Sequence, residues 1–410
     1  MAVVRPFKGI RPVAELADKV AALPYDVMNS AEAREMVKGN PYSFLHVDRA
    51  EIDLDENIDP YCEKVYLKAR ENLYNMIENG VYVQDSEPIF YIYALTMDGR
   101  CQRGIVCTTS IDEYINGTIK KHEFTRADKE QDRINHVDYC NANTGPIFLA
   151  CRDDENIKGI IDRETKKEPV YDFVSDDGIR HTVYVVDDKE TIDAISEGFK
   201  GIENLYIADG HHRNASAVKV GLKRREENPA YTGEEEFNYY LSVVFFGSEL
   251  KIRDYNRVVK DLNGFSDEEF MAELEKHFDV AEGKAEKPCK THSFGMYLEG
   301  KWYSLNAKTE IIPEDAVESL DVSILQNNVL SKLLGINDPK TDKRIDFVGG
   351  IRGIKELERL VDSGDYKVAF AMYPTSVEEL MEIADEGKIM PPKSTWFEPK
   401  LRSGLFIHTL

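Results

Sequence analysis

The consecutive residues Asp209-Gly210-His211-His212-Arg213 put a carboxylate, two imidazoles and a guanidinium side by side, next to a glycine that tolerates a positive φ. Such a set suits a phosphate site. It offers backbone N–H groups, a fork-shaped cation, a carboxylate for a divalent metal and a group that exchanges protons near neutral pH. Asp209, His211 and His212 are candidate catalytic residues, and Asp209 is also a candidate metal ligand. Gly210 and Arg213 are candidate phosphate binders. The competing reading is a satisfied polar turn in which Asp209 caps a helix.

Two other stretches concentrate polar chemistry. Lys120-Lys121-His122-Glu123-Phe124-Thr125-Arg126 is followed by Asp132, Arg133, His136 and Asn143. Arg126 and Arg133 are seven residues apart and would share a helix face, so His122, Arg126, Arg133 and Asn143 are candidate substrate binders and Glu123 a candidate base. Thr125 is expected to cap the helix that follows. A zinc H-E-x-x-H motif is excluded, because position 126 is Arg. Near the C-terminus, Lys393, Lys400 and Arg402 flank Trp396 and Phe397 in a proline-stiffened segment. The three cations are candidate nucleotide or phosphate clamps, with an aromatic ring to stack or to cover the site. Weaker signals are Gly349-Gly350-x-x-Gly353, read first as a tight turn, the turn Pro24-Tyr25-Asp26-Val27, and His46, whose alternating surroundings suggest a core histidine in a strand.

Elements must hold these groups in place. Residues 204–208 (NLYIA) read as a strand and residues 214–227 as a helix, so the Asp209–Arg213 turn joins strand end to helix start, where an α/β fold places anions. Strands over 88–96 and 102–109 flank Asp98-Gly99, and the same device recurs at Asp177-Gly178 and Glu299-Gly300. Helices are expected over 30–38 (capped by Ser30), 59–79, 266–278 (a Ser266/Glu269 capping box) and 313–334. Residues 239–246 (YYLSVVFF) form a strand, and 344–386 read as βαβα. The class is mixed α/β, in four segments: 1–110, 111–260 with the two central motifs, 261–340, and 341–410.

The composition sets the partners. With 410 residues, 52 Lys+Arg against 75 Asp+Glu give a net charge of −23, which opposes nucleic acid and anionic membranes. A small anionic ligand fits an island of cations in so acidic a chain. The first residues lack the apolar run of a signal peptide, and six cysteines with no C-x-x-C pair argue against a disulfide framework or thiolate zinc site, so the expected location is cytoplasmic.

The blocks Arg5-Pro6-Phe7-Lys8-Gly9, Pro24-Tyr25-Asp26-Val27, Asn40-Pro41-Tyr42-Ser43-Phe44-Leu45, His122-Glu123-Phe124-Thr125, Ile207 to Arg213 and Met390 to Lys400 resemble those of domain-of-unknown-function family 1015, whose members are sometimes labelled SpoOJ/ParB-like. The Asp-Gly-His-His-Arg turn is in addition similar to a turn of free-serine kinases on the ParB/sulfiredoxin-like fold. That resemblance implies Mg²⁺ and a donor, either a nucleotide (ATP, ADP or CTP) or pyrophosphate, with an amino-acid hydroxyl as acceptor. It makes Asp209 a metal or hydroxyl partner and His211 to Arg213 the phosphoryl binders. For the base, Glu123, Glu15, Asp26 and Glu32 all remain open. The same site running in reverse would be a phosphoserine phosphatase, and without turnover it would be a ParB-like nucleotide switch.

Overall fold

The computed structural model describes residues 1–125 and 127–410, with Asp128 described by its backbone alone. The chain is mixed α and β and forms two compact units, Met1–Leu250 with Pro399–Leu410, and Lys251–Glu398. This differs from the four segments expected. Residue 110 ends a strand that pairs on both sides within the first sheet, and the segment beyond 341 supplies two strands to the second, so neither point separates anything.

The first unit is built on a nine-stranded sheet. Its centre is the hairpin Phe90–Met97 and Arg100–Ser110, turned by Asp98 and Gly99, both at positive φ (53° and 76°) as a two-residue hairpin turn of this hand requires. On one side follow Arg180–Val186 and Tyr171–Val174; on the other, Tyr239–Phe246, Ile147–Cys151, Leu205–Asp209 and Ile119–Lys120. Continuous apolar runs such as Phe90 to Leu95 are buried on both faces. One core joins the sheet to helices Glu155–Glu164, Lys189–Phe199 and His211–Glu227. A second core gathers Phe44, Leu45, Val65, Leu73 and Ile407 around helix Glu63–Glu78.

The second unit has a six-stranded antiparallel sheet, in the order Phe278–Gly283, Lys301–Ala307, Ser293–Leu298, Val368–Ala371, Tyr255–Val259, Ile345–Gly349. Helix Ile354–Asp362 covers one face through Leu357, against Val258, Val348, Ala369 and Ala371.

Several local expectations give way to tertiary context. Residues 313–334 are not one helix: a short helix Asp321–Leu325 runs into a π turn, Gln326–Leu330. The helix begun by the Ser266/Glu269 capping box stops at Leu274, because Phe278 starts the edge strand of the sheet. Ser30 is the first helical residue and Asn29 the cap, its side chain and Glu32 closing a capping box. His46 lies in helix Leu45–Asp48, not in a strand, and bonds Asp53 at 2.8 Å. Gly349-Gly350 is indeed a turn, closed by Gly353 at φ 71°.

The C-terminal segment is woven into the first unit. Ser403 bridges to Ala22, Ile407 to Ile10, and His408–Thr409 pairs with Ala142–Asn143. Gly404 makes this path possible: its φ is 85°, and a Cβ there would lie 2.5 Å from the buried Phe44 ring. Gly404→Ala should therefore lower stability by about 2–4 kcal/mol, from left-handed strain plus overpacking. Gly39→Ala, at φ 78° with open space around it, should cost only about 1 kcal/mol. Urea midpoints of the two variants check the difference, and equal losses would contradict the packing argument.

Candidate functional site

The sheet brings the two central motifs to one edge. Leu205–Asp209 runs parallel to Ile119–Lys120, with Leu205 opposite Ile119 and Tyr206 opposite Lys120. Parallel strands end at the same edge, so the loop carrying His122 and Glu123 leaves beside the Asp209 turn. The rings of His122 and His211 meet edge to face, 4.6 Å between centroids. Ile147–Cys151 runs the other way, with a register shift between Ile207 and Asp209, and so enters the sheet at this edge through Thr144-Gly145-Pro146.

Gly210 sits at φ 87° and starts helix His211–Glu227, which no side chain caps. Asp209, the expected cap, turns elsewhere. Its Oδ1 accepts from Gly210 N–H at 2.8 Å, and its Oδ2 accepts from Lys400 Nζ at 2.7 Å. The helix N-terminus therefore presents its amides and the positive end of its dipole without a carboxylate of its own.

Arg213 lies against several groups. Its Nη2 donates to Ser403 Oγ at 3.4 Å and stands 3.8 Å from Asp48 Oδ2. A Cβ on Gly145 would come within 2.6 Å of Nη1, so the guanidinium in this position lies against bare backbone. The Tyr25 ring lies under two cations, Arg133 at 4.0 Å and Arg213 at 5.3 Å. Behind them a cavity of about 20 Å³, lined by Asp48, Arg133, His136, Thr144, Gly145 and Arg213, has room for about one water molecule. Asp48 is 4% exposed there; Thr144 Oγ1 donates to its Oδ1 at 3.1 Å, while Oδ2 accepts no hydrogen bond.

The sequence-selected residues separate accordingly. Asp209, Gly210, His211, Arg213, His122 and Lys400 converge at the sheet edge, and Arg133 joins them through Tyr25 and the cavity. His212 is half-buried on the first helical turn, where its carbonyl accepts from Ser216 Oγ at 2.6 Å. Glu123 is half-buried beside His122 on the incoming loop. Thr125 Oγ1 donates to Glu130 at 2.7 Å, just before helix Ala127–Cys140. Asn143 accepts from Leu241 N–H and from His408 Nδ1, both at 3.2 Å, and thus ties the C-terminal strand to the sheet. Arg402 points to the Tyr171–Val186 hairpin, donating to Ser175 at 3.0 Å, to His181 and to the Asp177 carboxylate. Lys393 belongs to the second unit. Arg126 lies outside the described residues. Sequence reasoning passed over Asp48 and Gly145 and marked Tyr25 only as part of a turn.

Burial decides the protonation states. It pushes His122 down to about 4 against the opposing charge of Asp209, and drives His211 well below the ordinary imidazole range with help from His122. Both rings are neutral at pH 7. Asp209 is pushed up by desolvation, but the Lys400 ammonium and the Gly210 N–H outweigh that and hold it below the usual carboxylate range. The Tyr25 hydroxyl is pushed up to about 12, chiefly by burial. Asp209 is thus ionised at pH 7 beside two neutral rings. Among the described residues no three His, Cys, Asp or Glu side chains are grouped to hold a metal. With both Asp209 oxygens engaged, the residues do not fit a resident metal ion.

A family model described as "Protein of unknown function (DUF1015)" matches residues 4–323. Among solved structures the chain is similar to a free serine kinase in complex with AMP (15% identity, TM-score 0.36, 73% of this chain and 92% of that one). It is likewise similar to a conserved hypothetical protein from Pyrococcus furiosus (17%, TM-score 0.35, 73% and 95%). A third is SbnI with C-terminal truncation from Staphylococcus aureus (10%, TM-score 0.36, 73% and 85%). No curated protein matches in sequence.

The depressed histidines fix a sign for pH dependence. Below pH 6.5 the unfolded chain protonates these imidazoles while the folded chain does not, so the unfolded state binds more protons and stability rises with pH. His122 (about 4), His181 (about 3) and His211 all behave this way. Between pH 6.5 and 5 each should remove up to about 1.4 kcal/mol of stability per unit of acidification. Urea midpoints measured across that window should fall steadily; a flat profile would show that these rings are protonated in the folded state.

Proposed function

The chain belongs to the DUF1015 family, described as of unknown function, and from its own site we propose that it is a small-molecule phosphotransferase, moving a phosphoryl group from a nucleotide or pyrophosphate donor to an amino-acid hydroxyl such as that of serine. The observation that carries this reading is the uncapped N-terminus of helix His211–Glu227 behind the left-handed Gly210, with Lys400 and Arg213 at its sides. Amides and two cations around one point suit an anion that carries several negative oxygens.

In the reaction, the hydroxyl oxygen forms a bond to the terminal phosphorus while the bond from phosphorus to the donor's bridging oxygen breaks. The hydroxyl proton passes to a carboxylate. Arg213, Lys400 and the helix amides stabilise the charge on the phosphoryl oxygens, the role that dominates catalysis of phosphoryl transfer. Asp209, kept ionised by Lys400, accepts a hydrogen bond from the hydroxyl and orients it; Glu123, on the adjoining loop, is the candidate base. His211 and His122 are neutral, so they shape and dry the site and add no charge. Mg²⁺ enters with the donor phosphates as their counter-ion, and no step is assigned to a metal held by the protein.

The direct test incubates the full-length chain with serine, Mg²⁺ and ATP, ADP or pyrophosphate, and separately with phosphoserine, following products by ³¹P NMR. Turnover is expected with at least one donor. Asp209→Asn should lower it about 100-fold or more, and Arg213→Gln should weaken donor binding about 10–100-fold, the value of a lost charged hydrogen bond. Donor binding without turnover would replace phosphotransfer by a nucleotide-gated switch. No turnover, together with donor affinity that is indifferent to Arg213→Gln, would remove the site altogether.

A further inference from the structure

Arg257 stands in the sheet of the second unit, 3% exposed, with Phe347 opposite it on one neighbouring strand and Phe370 on the other. Its guanidinium donates to the carbonyls of Tyr255 and, at 3.0 Å, Lys393, and lies 5.4 Å over the Phe347 ring. Among the described residues no carboxylate pairs with it, and burial lowers its pKa to about 10. The nearby acids are engaged elsewhere: Asp254 accepts from Lys287 Nζ at 2.7 Å, and Glu398 from Trp396 Nε1 at 2.8 Å. A buried charge with no counter-ion is among the costliest features a fold can retain.

A second cation is aimed at the same place. Lys393 is exposed, held at φ 63°, with its ammonium 5.5 Å over the Tyr255 ring. Tyr255 and Arg257 are two residues apart on one strand and therefore share a face. Trp396 closes one side, 4.8 Å from the Tyr255 ring. It fits because Gly349, opposite Tyr255, has no Cβ; one added there would sit 3.0 Å from the indole. The left-handed backbone at a non-glycine residue marks local strain retained at this point.

We infer that Arg257 and Lys393, framed by Tyr255, Phe347 and Trp396, form an anion site in the second unit that takes the phosphate group of a small ligand. The planar fork of Arg257 suits two phosphate oxygens, and Lys393 adds a mobile point charge. A bound phosphate supplies the missing counter-ion. The inference is independent of the phosphotransfer reading, since it uses no residue of the first unit.

The test titrates the full-length Arg213→Gln variant, which lacks one of the two cations of the other site, with inorganic phosphate and then with AMP, by calorimetry and tryptophan fluorescence. Phosphate should bind, and adding Lys393→Gln, a change at an exposed side chain, should raise its Kd at least tenfold. Arg257→Lys should weaken binding while keeping the charge, because the fork is lost. AMP binding tighter than phosphate would add a base stacked on the aromatic rings; equal affinities would mean that the phosphate group alone is recognised. The inference is overturned if phosphate does not bind, or if its Kd is unchanged by Lys393→Gln.

Discussion

Asp209 leaves the sheet with each carboxylate oxygen already bonded, one to the next backbone N–H and one to an ammonium that arrives 191 residues later in the chain. Most of the site follows from that arrangement. Because Asp209 is satisfied this way, it does not cap the helix it precedes, and the helix amides stay available. Because the partner is Lys400, the C-terminal segment must be held firmly, which accounts for the bridges at Ser403 and Ile407 and the strand His408–Thr409. In a half-buried pair of this kind the desolvation cost offsets much of the attraction, so it contributes little to stability. Anchored between a strand end and a threaded tail, it serves instead to set where charge lies.

What could be read from the amino acids and what could not divide along a physical line. The turn Asp209 to Arg213 was legible because strand, glycine and helix are local patterns, each with its own period and punctuation. So were the three hairpins: Asp98-Gly99 and Glu299-Gly300 take positive φ at both residues, and at Asp177-Gly178 the glycine alone takes it. Asp48 was not legible: the alternation around it suggested a strand, and only packing against helix Glu63–Glu78 makes Leu45–Asp48 a helical turn that faces Arg213. Lys393, Lys400 and Arg402 formed one basic cluster on paper. In space Arg402 turns to a hairpin, Lys400 to Asp209, and Lys393 belongs to another unit. Side-chain direction in an irregular segment is set by contacts hundreds of residues away, and no local signal encodes it.

Fold and net charge act together on the partner. The charge of −23 repels long polyanions, while the sheet edge gathers Lys400, Arg213 and a helix N-terminus into one spot. The two neutral imidazoles beside it lower the local dielectric without adding charge, so the cations act at closer to full strength on whatever enters. A small anion is favoured by the spot and tolerated by the surroundings. A polymer meets the surroundings first.

Buried guanidinium groups give the most direct way of separating scaffold from site in this chain. Arg402, 3% exposed, has the Asp177 carboxylate and two further partners, and its removal would strip Asp177 of its cation: it is a clamp. Arg133, 8% exposed, has Asp132 at 2.9 Å and the face of Tyr25, and is held as firmly. Among the described residues Arg213 has a long contact to Asp48, one to a hydroxyl and the Tyr25 ring, and Arg257 has two backbone carbonyls and the Phe347 ring, with no close carboxylate for either. Carbonyl dipoles satisfy N–H donors but do not neutralise a charge in a low-dielectric interior. A fold that keeps a cation so placed, when Met or Leu would pack as well, gains nothing from it in stability. These two incompletely neutralised arginines, one in each unit, are therefore the positions proposed to take an anion.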